Sequence, residues 1–197
     1  MRIQSTKKLR KLLFCFTMLF FAAFPSRGDA EEQAALWIEL GSGNHFVILR
    51  HAIAPGMGDP VGFDLNDCRT QRNLSDEGRR QAGLIGQRFR EEGFSEARVF
   101  SSQWCRCLET ARLLNLGKVT ELPALNSFFA DFDKEEQQTR QLKEWLNKQD
   151  LSETVVLVSH QVNITALAGV YPRSGEFVVV ERAKEGTFLV KGTLIAE

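Results

Sequence analysis

Four residues of this chain have the types and positions to do chemistry together. Arg50 and His51 directly follow the apolar run Phe46-Val47-Ile48-Leu49, Arg106 lies in the segment after Val99-Phe100, and His160 follows Val155-Val156-Leu157-Val158. Two arginines and two histidines suit a tetrahedral dianion, because guanidinium forks match phosphate oxygens and stay charged at any working pH. A neutral imidazole nitrogen can also attack phosphorus. That divides one hard displacement into two easier ones through a phosphohistidine, while fixed positive charge stabilises the equatorial oxygens. The chemistry calls for no metal and no organic cofactor, and neither metal-ligand spacing nor a phosphate-cradling glycine-rich loop occurs.

These residues need elements that deliver them to one place. The chain alternates short β-rich runs with amphipathic stretches, which predicts an α/β domain of three layers, α/β/α, with a mostly parallel central sheet. Residues 46–49 and 155–158 are continuously apolar and β-branched, as strands buried on both faces are. A Gly-, Pro- and Asp-rich loop spans about 54–73. Ser75 is an N-cap for a helix that Gly93 stops, and further helices are expected near 104–116, 135–148 and 163–169. Short strands are read at Val99-Phe100 and near Val119. Residues 177–180 and 187–190, joined by a turn at Glu185-Gly186, predict a closing β-hairpin. In parallel α/β sheets ligands bind beyond the carboxyl ends of the strands, so the strand-end arginines and histidines are expected to converge.

Residues 1–30 read as a secretory signal peptide, leaving a single domain over 31–197. Lys7, Lys8, Arg10 and Lys11 form a basic start, Leu12 to Phe24 an apolar stretch of about thirteen residues, and Gly28-Asp29-Ala30 a small-residue cleavage site. The stretch is short of the roughly twenty residues that span a bilayer. The leader holds six of the 25 basic and one of the 25 acidic residues, leaving 19 against 24 and a mature net charge of −5. That balance argues against nucleic-acid binding and against stable membrane association after signal removal. The expected location is periplasmic or secreted. Three cysteines remain. Cys105 and Cys107 point in different directions on a helix and Cys107 shares a core face, so a Cys68–Cys105 bridge and three unpaired thiols are the two readings.

At these residues the sequence resembles the histidine phosphatase superfamily, also called phosphoglycerate mutase-like. Leu49-Arg50-His51-Ala52 is similar to the family's strand followed by Arg-His-Gly, with Ala52 in place of glycine. Asn73-Leu74-Ser75-Asp76-Glu77-Gly78 resembles the start of its first helix. Ser101-Ser102 through Arg106 to Thr110-Ala111 resembles its Ser-Ser, Arg and Thr-Ala segment, and Val158-Ser159-His160 its second-histidine segment. The resemblance implies that His51 accepts the phosphoryl group, that Arg50 and Arg106 bind it, and that His160 hydrogen-bonds it. The family's general acid, in a loop after the third strand, has no counterpart in Ala124-Leu125-Asn126-Ser127. Asp131 and Asp133 are the nearest carboxylates, and Asp131 is taken as the proton donor. Arg72 and Asn163 are taken as substrate-binding residues, while His45 opens the first strand on the far side and reads as structural. Phe128, Phe129 and Phe132 read as a packed loop rather than a lid.

The implied activity is hydrolysis of a phosphomonoester, since the chain lacks the long insertions of larger relatives. An exported enzyme would meet small envelope phosphates, a sugar phosphate among them. The alternatives are a phosphohistidine-protein phosphatase, a mutase-like phosphotransferase and, from another class, a non-catalytic protein that binds a phosphate ligand.

Overall fold

A computed structural model describes residues 27–195 of the chain. The apolar runs form strands: β1 (His45–Arg50), β2 (Arg98–Ser101), β3 (Val119–Glu121), β4 (Val155–Ser159), β5 (Glu176–Arg182) and β6 (Phe188–Ile195). They make one sheet in the order β3-β2-β4-β1-β5-β6. The first four strands are parallel, and β5 and β6 run antiparallel as the closing hairpin.

Both faces of the sheet are covered, which is why its central strands carry no polar alternation. Val47 and Leu49 of β1 turn toward α1 (Arg27–Leu40), α2 (Asp76–Glu91) and α3 (Cys105–Leu114). Phe46 and Ile48 turn the other way, toward α4 (Glu135–Asn147) and α5 (Gln161–Ala168). The result is the expected three-layer α/β/α arrangement. No helix among the described residues is long and apolar enough to cross a membrane.

Helix α1 has no counterpart among the expected elements. Its buried residues Leu36, Trp37 and Leu40 are confined to its last turns, so no apolar stripe runs along it to be read. They nonetheless complete one layer, where Trp37 meets Phe89 edge-on at 5.0 Å and Phe177 at 5.4 Å. The proposed leader lies largely outside the described residues. Of positions 1–30 only the last four are described, as the first turn of α1.

Helix α2 starts as its sequence demands, with Ser75 Oγ accepting from the Gly78 amide at 3.0 Å. Gly78 has a second duty. A Cβ there would lie 2.0 Å from the Ile53 carbonyl oxygen, so only glycine lets the helix rest on the chain just beyond His51. The Ser75 amide also donates to that carbonyl, at 3.1 Å.

Cys68 is bonded to Cys105, with Cα atoms 5.7 Å apart, and Cys107 is a buried thiol. Of the two readings the bridge is the one found. It spans 37 positions and ties the 54–73 loop to the residue before Arg106. Chain-entropy arguments give a loop of this length about 4 kcal/mol of stabilisation. Reduction, or the double variant Cys68→Ser with Cys105→Ser, should therefore lower the melting temperature by roughly 10 °C. Thermal denaturation with and without reductant measures it, and an unchanged midpoint would show that packing alone holds the loop.

Candidate active site

The parallel register sets the ends of β1, β2 and β4 level with one another. Val158 pairs with both Leu49 and Ser101, and Arg50 pairs with Ser159. Just past these pairs the His51 amide donates to Ser159 O at 3.0 Å and the Ser102 amide to Val158 O at 2.9 Å. The three chains then diverge around a cavity of about 470 Å³ whose wall includes Arg50, His51, Arg72, Arg106 and His160.

His51 is buried, with Nδ1 2.8 Å from the carbonyl of Ala52. That contact requires the proton on Nδ1 and turns the Nε2 lone pair into the cavity, where Arg106 Nε lies 3.3 Å away. Thr110 fixes the backbone here. Its Oγ1 accepts from the Ala52 amide at 3.1 Å and donates to Arg106 O at 2.7 Å, so one hydroxyl links the two key segments.

The His160 ring stands across the cavity, its centroid 5.5 Å from that of His51. Its Nδ1 is 3.4 Å from Arg106 Nη2, and its Nε2 is 2.9 Å from Ser102 Oγ. Since the guanidinium can only donate, His160 carries its proton on Nε2, which donates to Ser102, and Ser102 donates onward to Asn126 Oδ1 at 3.3 Å. Arg106 thus faces both imidazole lone pairs at once. Arg50 donates from Nη1 to Pro172 O at 2.9 Å, and its buried Nε has no protein partner.

Both the sequence and the fold of the chain match known proteins. Residues 48–145 match the family model of the histidine phosphatase superfamily, branch 1. The chain belongs to the histidine phosphatase superfamily. Solved structures of phosphatases share its fold. The protein histidine phosphatase SixA complexed with tungstate gives a TM-score of 0.57 at 16% identity, over 77% of this chain and 97% of its own. A phosphoserine phosphatase mutant from Entamoeba histolytica in complex with phosphoserine gives 0.56 at 13%, over 76% and 95%. Mycobacterial glucosyl-3-phosphoglycerate phosphatase gives 0.52 at 16%, over 70% and 92%. At such identities the likeness is one of fold. No curated protein matches the chain by sequence.

Within this histidine phosphatase domain the structure brings Arg50, His51, Arg106 and His160 together, with Arg72 at the wall. Arg72 serves mainly to hold the loop, since Nε donates to Gly58 O at 2.7 Å and Nη1 to Ala54 O at 2.5 Å. Asn163, taken as substrate-binding from the sequence, is not in the cavity wall. It is buried behind the cavity, and Nδ2 donates to Asn126 O at 2.8 Å, so it braces the 123–130 loop. Asp131 is not in the cavity wall either; its carboxylate pairs with Lys134 at 2.9 Å on the exposed surface. His45 sits at the opposite end of β1, with Nδ1 2.6 Å from Gly43 O. Phe128 is buried, Phe132 is exposed, and Phe129 reaches the cavity mouth.

The carboxylate missed in the sequence is Asp59. It lies in the 54–73 loop and is the one acidic side chain of the cavity wall among the described residues. Its oxygens meet Arg106 Nη1 at 2.8 Å and Nη2 at 3.1 Å, and accept from Trp104 Nε1 at 3.0 Å and the Arg72 amide at 3.1 Å. The Asp59 and Arg106 side chains are 8% and 3% exposed, so their ion pair is desolvated and losing one partner would strand the other. A carboxylate between glycines and prolines carries no local signal. Only the fold places it 47 positions from its arginine in sequence and in contact in space.

Burial and the Arg106 charge set the ionisation of the site. Burial first, then Arg106, push the His51 pKa down to about 3, against the opposing Ala52 hydrogen bond. His160 is held well below the ordinary imidazole value by burial, then Arg106 and His51. Burial would raise the Asp59 carboxyl, but Arg106, the Arg72 amide and the Trp104 indole together outweigh it and hold the group below the usual range. Burial pushes the Cys107 thiol up to about 12, which keeps it unreactive.

A stability trend follows. The unfolded chain takes up histidine protons near pH 6.5 while the folded chain does not, so it binds more protons and acid favours unfolding. Below pH 6.5, down to about 3, His51 should remove up to about 1.4 kcal/mol of stability per pH unit, and His160 adds a loss of the same sign. Denaturant titrations from pH 7.5 to 4 test this. Stability independent of pH across that window would contradict two buried neutral rings.

Proposed function

We propose that this chain is an exported phosphatase that hydrolyses a phosphomonoester through a phosphohistidine at His51 Nε2, with Asp59 as proton donor. The observation that carries this reading is the paired orientation of His51. Its Nδ1–H is fixed on Ala52 O, and its Nε2 lone pair faces Arg106 and the opposing His160 ring.

Neutral His51 is available as a nucleophile at every pH above about 3. Its Nε2 forms the N–P bond as the P–O bond to the alcohol breaks. Arg50 and Arg106 stabilise the charge on the equatorial oxygens. Asp59 starts as an acceptor on Arg106, and a phosphoryl dianion beside it changes its balance by competing for that guanidinium and adding like charge. Both effects raise the carboxyl pKa, so it takes a proton on substrate entry and gives it to the leaving alcohol oxygen. In the second step the Asp59 carboxylate removes a proton from water as the water oxygen attacks phosphorus. The N–P bond breaks, its electron pair returns to Nε2, and inorganic phosphate leaves.

Export is supported by the leader-like pattern of residues 1–30 and by the Cys68–Cys105 bond, a linkage that persists in oxidising compartments. The fold neighbours include proteins named for action on phosphoserine and glucosyl-3-phosphoglycerate, in keeping with a small phosphorylated substrate. The test is a phosphomonoester panel with the purified protein, quenched in alkali to trap the phosphoenzyme. Turnover with a base-stable, acid-labile phosphoprotein is expected. Phosphate binding without turnover of any ester would replace this reading with that of a binding protein.

A further inference from the structure

The cavity has two unlike ends. Every charged side chain of its wall, namely Arg50, Asp59, Arg72 and Arg106, belongs with His51 and His160 to the phosphate-binding end already described. The rest of the wall includes Met57, Val61, Phe63, Phe129 and Tyr171, while Trp104 stands beside Asp59 and His160. Several of these are open to water. Met57 is 86% exposed, Val61 fully so, Tyr171 75% and Phe129 44%. Apolar side chains gathered around a concave opening mark the surface a ligand covers.

The polar side chains of the mouth are three, the Tyr171 hydroxyl, Ser127 and Gln161, and the last two are partly engaged. Ser127 Oγ accepts from the Phe129 amide at 3.3 Å, and Gln161 Nε2 donates to Thr165 Oγ1 at 2.8 Å. No lysine, arginine or carboxylate of the wall lies beyond the phosphate-binding end. A polyhydroxylated leaving group would therefore set most of its hydroxyls against methyl and aromatic surface with few partners in return, which costs free energy. A second phosphate or carboxylate on the substrate would find no cation there.

We infer that the substrate is a monoester of an apolar alcohol, aliphatic or aromatic, whose phosphate enters the Arg50–Arg106 end while its hydrocarbon part lies against Met57, Val61, Phe129 and Tyr171. The inference rests on the phosphatase reading above and turns its general phosphomonoester into a specific class. It also sets aside the sugar phosphate expected from the sequence. The loop that carries Asp59 supplies both Met57 and Val61, so seating the alcohol against them brings its oxygen to the side of the cavity where the proton donor is.

The test is a homologous series of ethyl, butyl, hexyl and octyl phosphate, with phenyl phosphate, glycerol 3-phosphate and glucose 6-phosphate alongside. Each buried methylene should raise kcat/KM about two- to fourfold until the wall is covered. Phenyl phosphate should exceed glycerol 3-phosphate by at least tenfold after allowance for leaving-group acidity. In Met57→Ser and Val61→Ser the chain-length slope should flatten, a ratio that each variant reports against itself. A rate for glucose 6-phosphate or glycerol 3-phosphate equal to that for octyl phosphate would overturn the inference and leave the phosphatase reading intact. Absence of turnover for every ester would sink that reading instead. Titration calorimetry of the same series then decides the apolar preference by itself: tighter binding with chain length supports it and equal affinities overturn it. A second arm presents dioleoyl phosphatidic acid in phosphatidylcholine vesicles. Turnover there identifies a bilayer-borne ester, and turnover confined to monomeric alkyl and aryl esters a soluble one.

Discussion

His51→Ala should abolish turnover of every phosphomonoester, by roughly 10⁴-fold or more, and remove the trapped phosphoenzyme altogether. The size of the effect follows from the division of labour in the cavity. Arg50 and Arg106 carry no unprotonated nitrogen, and His160 is held by hydrogen bonds at both ring nitrogens. His160 has its protonated Nε2 committed to Ser102 and its Nδ1 facing Arg106. Phosphate binding should survive, because both guanidinium groups remain. Activity undiminished in His51→Ala would end the phosphohistidine mechanism, and a phosphoenzyme that persisted would move the nucleophile elsewhere. The pH profile of kcat/KM gives a second check. A nucleophile with a pKa of about 3 stays neutral through the acid range, so no loss with a midpoint near 6.5 should come from His51.

The second large effect belongs to Asp59→Asn. For esters with poor leaving groups, such as alkyl phosphates, loss of the donor should reduce kcat by 10²- to 10⁴-fold. For 4-nitrophenyl phosphate, whose alcohol leaves without a proton, the loss should stay within about tenfold. The contrast between the two esters is the decisive quantity. Asp59 also holds Arg106 in place, and losing that support alone would slow both esters alike and weaken phosphate binding. Equal losses would therefore assign Asp59 a positioning role and refute the donor assignment. Asparagine keeps the shape and one acceptor, and Asp59→Glu, which keeps the acid, should recover part of the alkyl-ester rate. The basic limb of kcat against pH should disappear in Asp59→Asn, since the group that must be protonated in the complex is gone.

How much of this could be read from the chain depends on whether a feature is local. The strands β1 and β4 are legible because burial on both faces requires an unbroken apolar run. Helix α2 is legible because Ser75, the acidic first turn and Gly93 mark its ends. The final turn of α3 stops at Leu114 rather than Leu116, where Asn115 takes a left-handed conformation with φ of 52°. Helix α5 begins two residues earlier than expected, with His160 itself as its N-cap residue. Helix α1 left no trace because its three buried residues, Leu36, Trp37 and Leu40, lie at one end of the segment with the exposed Ile38 among them and make no period.

By itself the sequence determined the layered α/β fold and the group of Arg50, His51, Arg106 and His160. Arg50 ends β1 and the other three sit one or a few positions beyond a strand whose apolar pattern announces it, so strand and side chain are specified together. Tertiary structure alone decided the rest: Asp59 on Arg106, the choice of Cys68 for Cys105, the withdrawal of Asp131 and Asn163 from the cavity, and its apolar mouth. All of these turn on the 54–73 and 123–133 loops. A loop residue has no period to record its burial, and its neighbours are set by where the disulfide, the Arg72 hydrogen bonds and the close approach at Gly78 draw the chain.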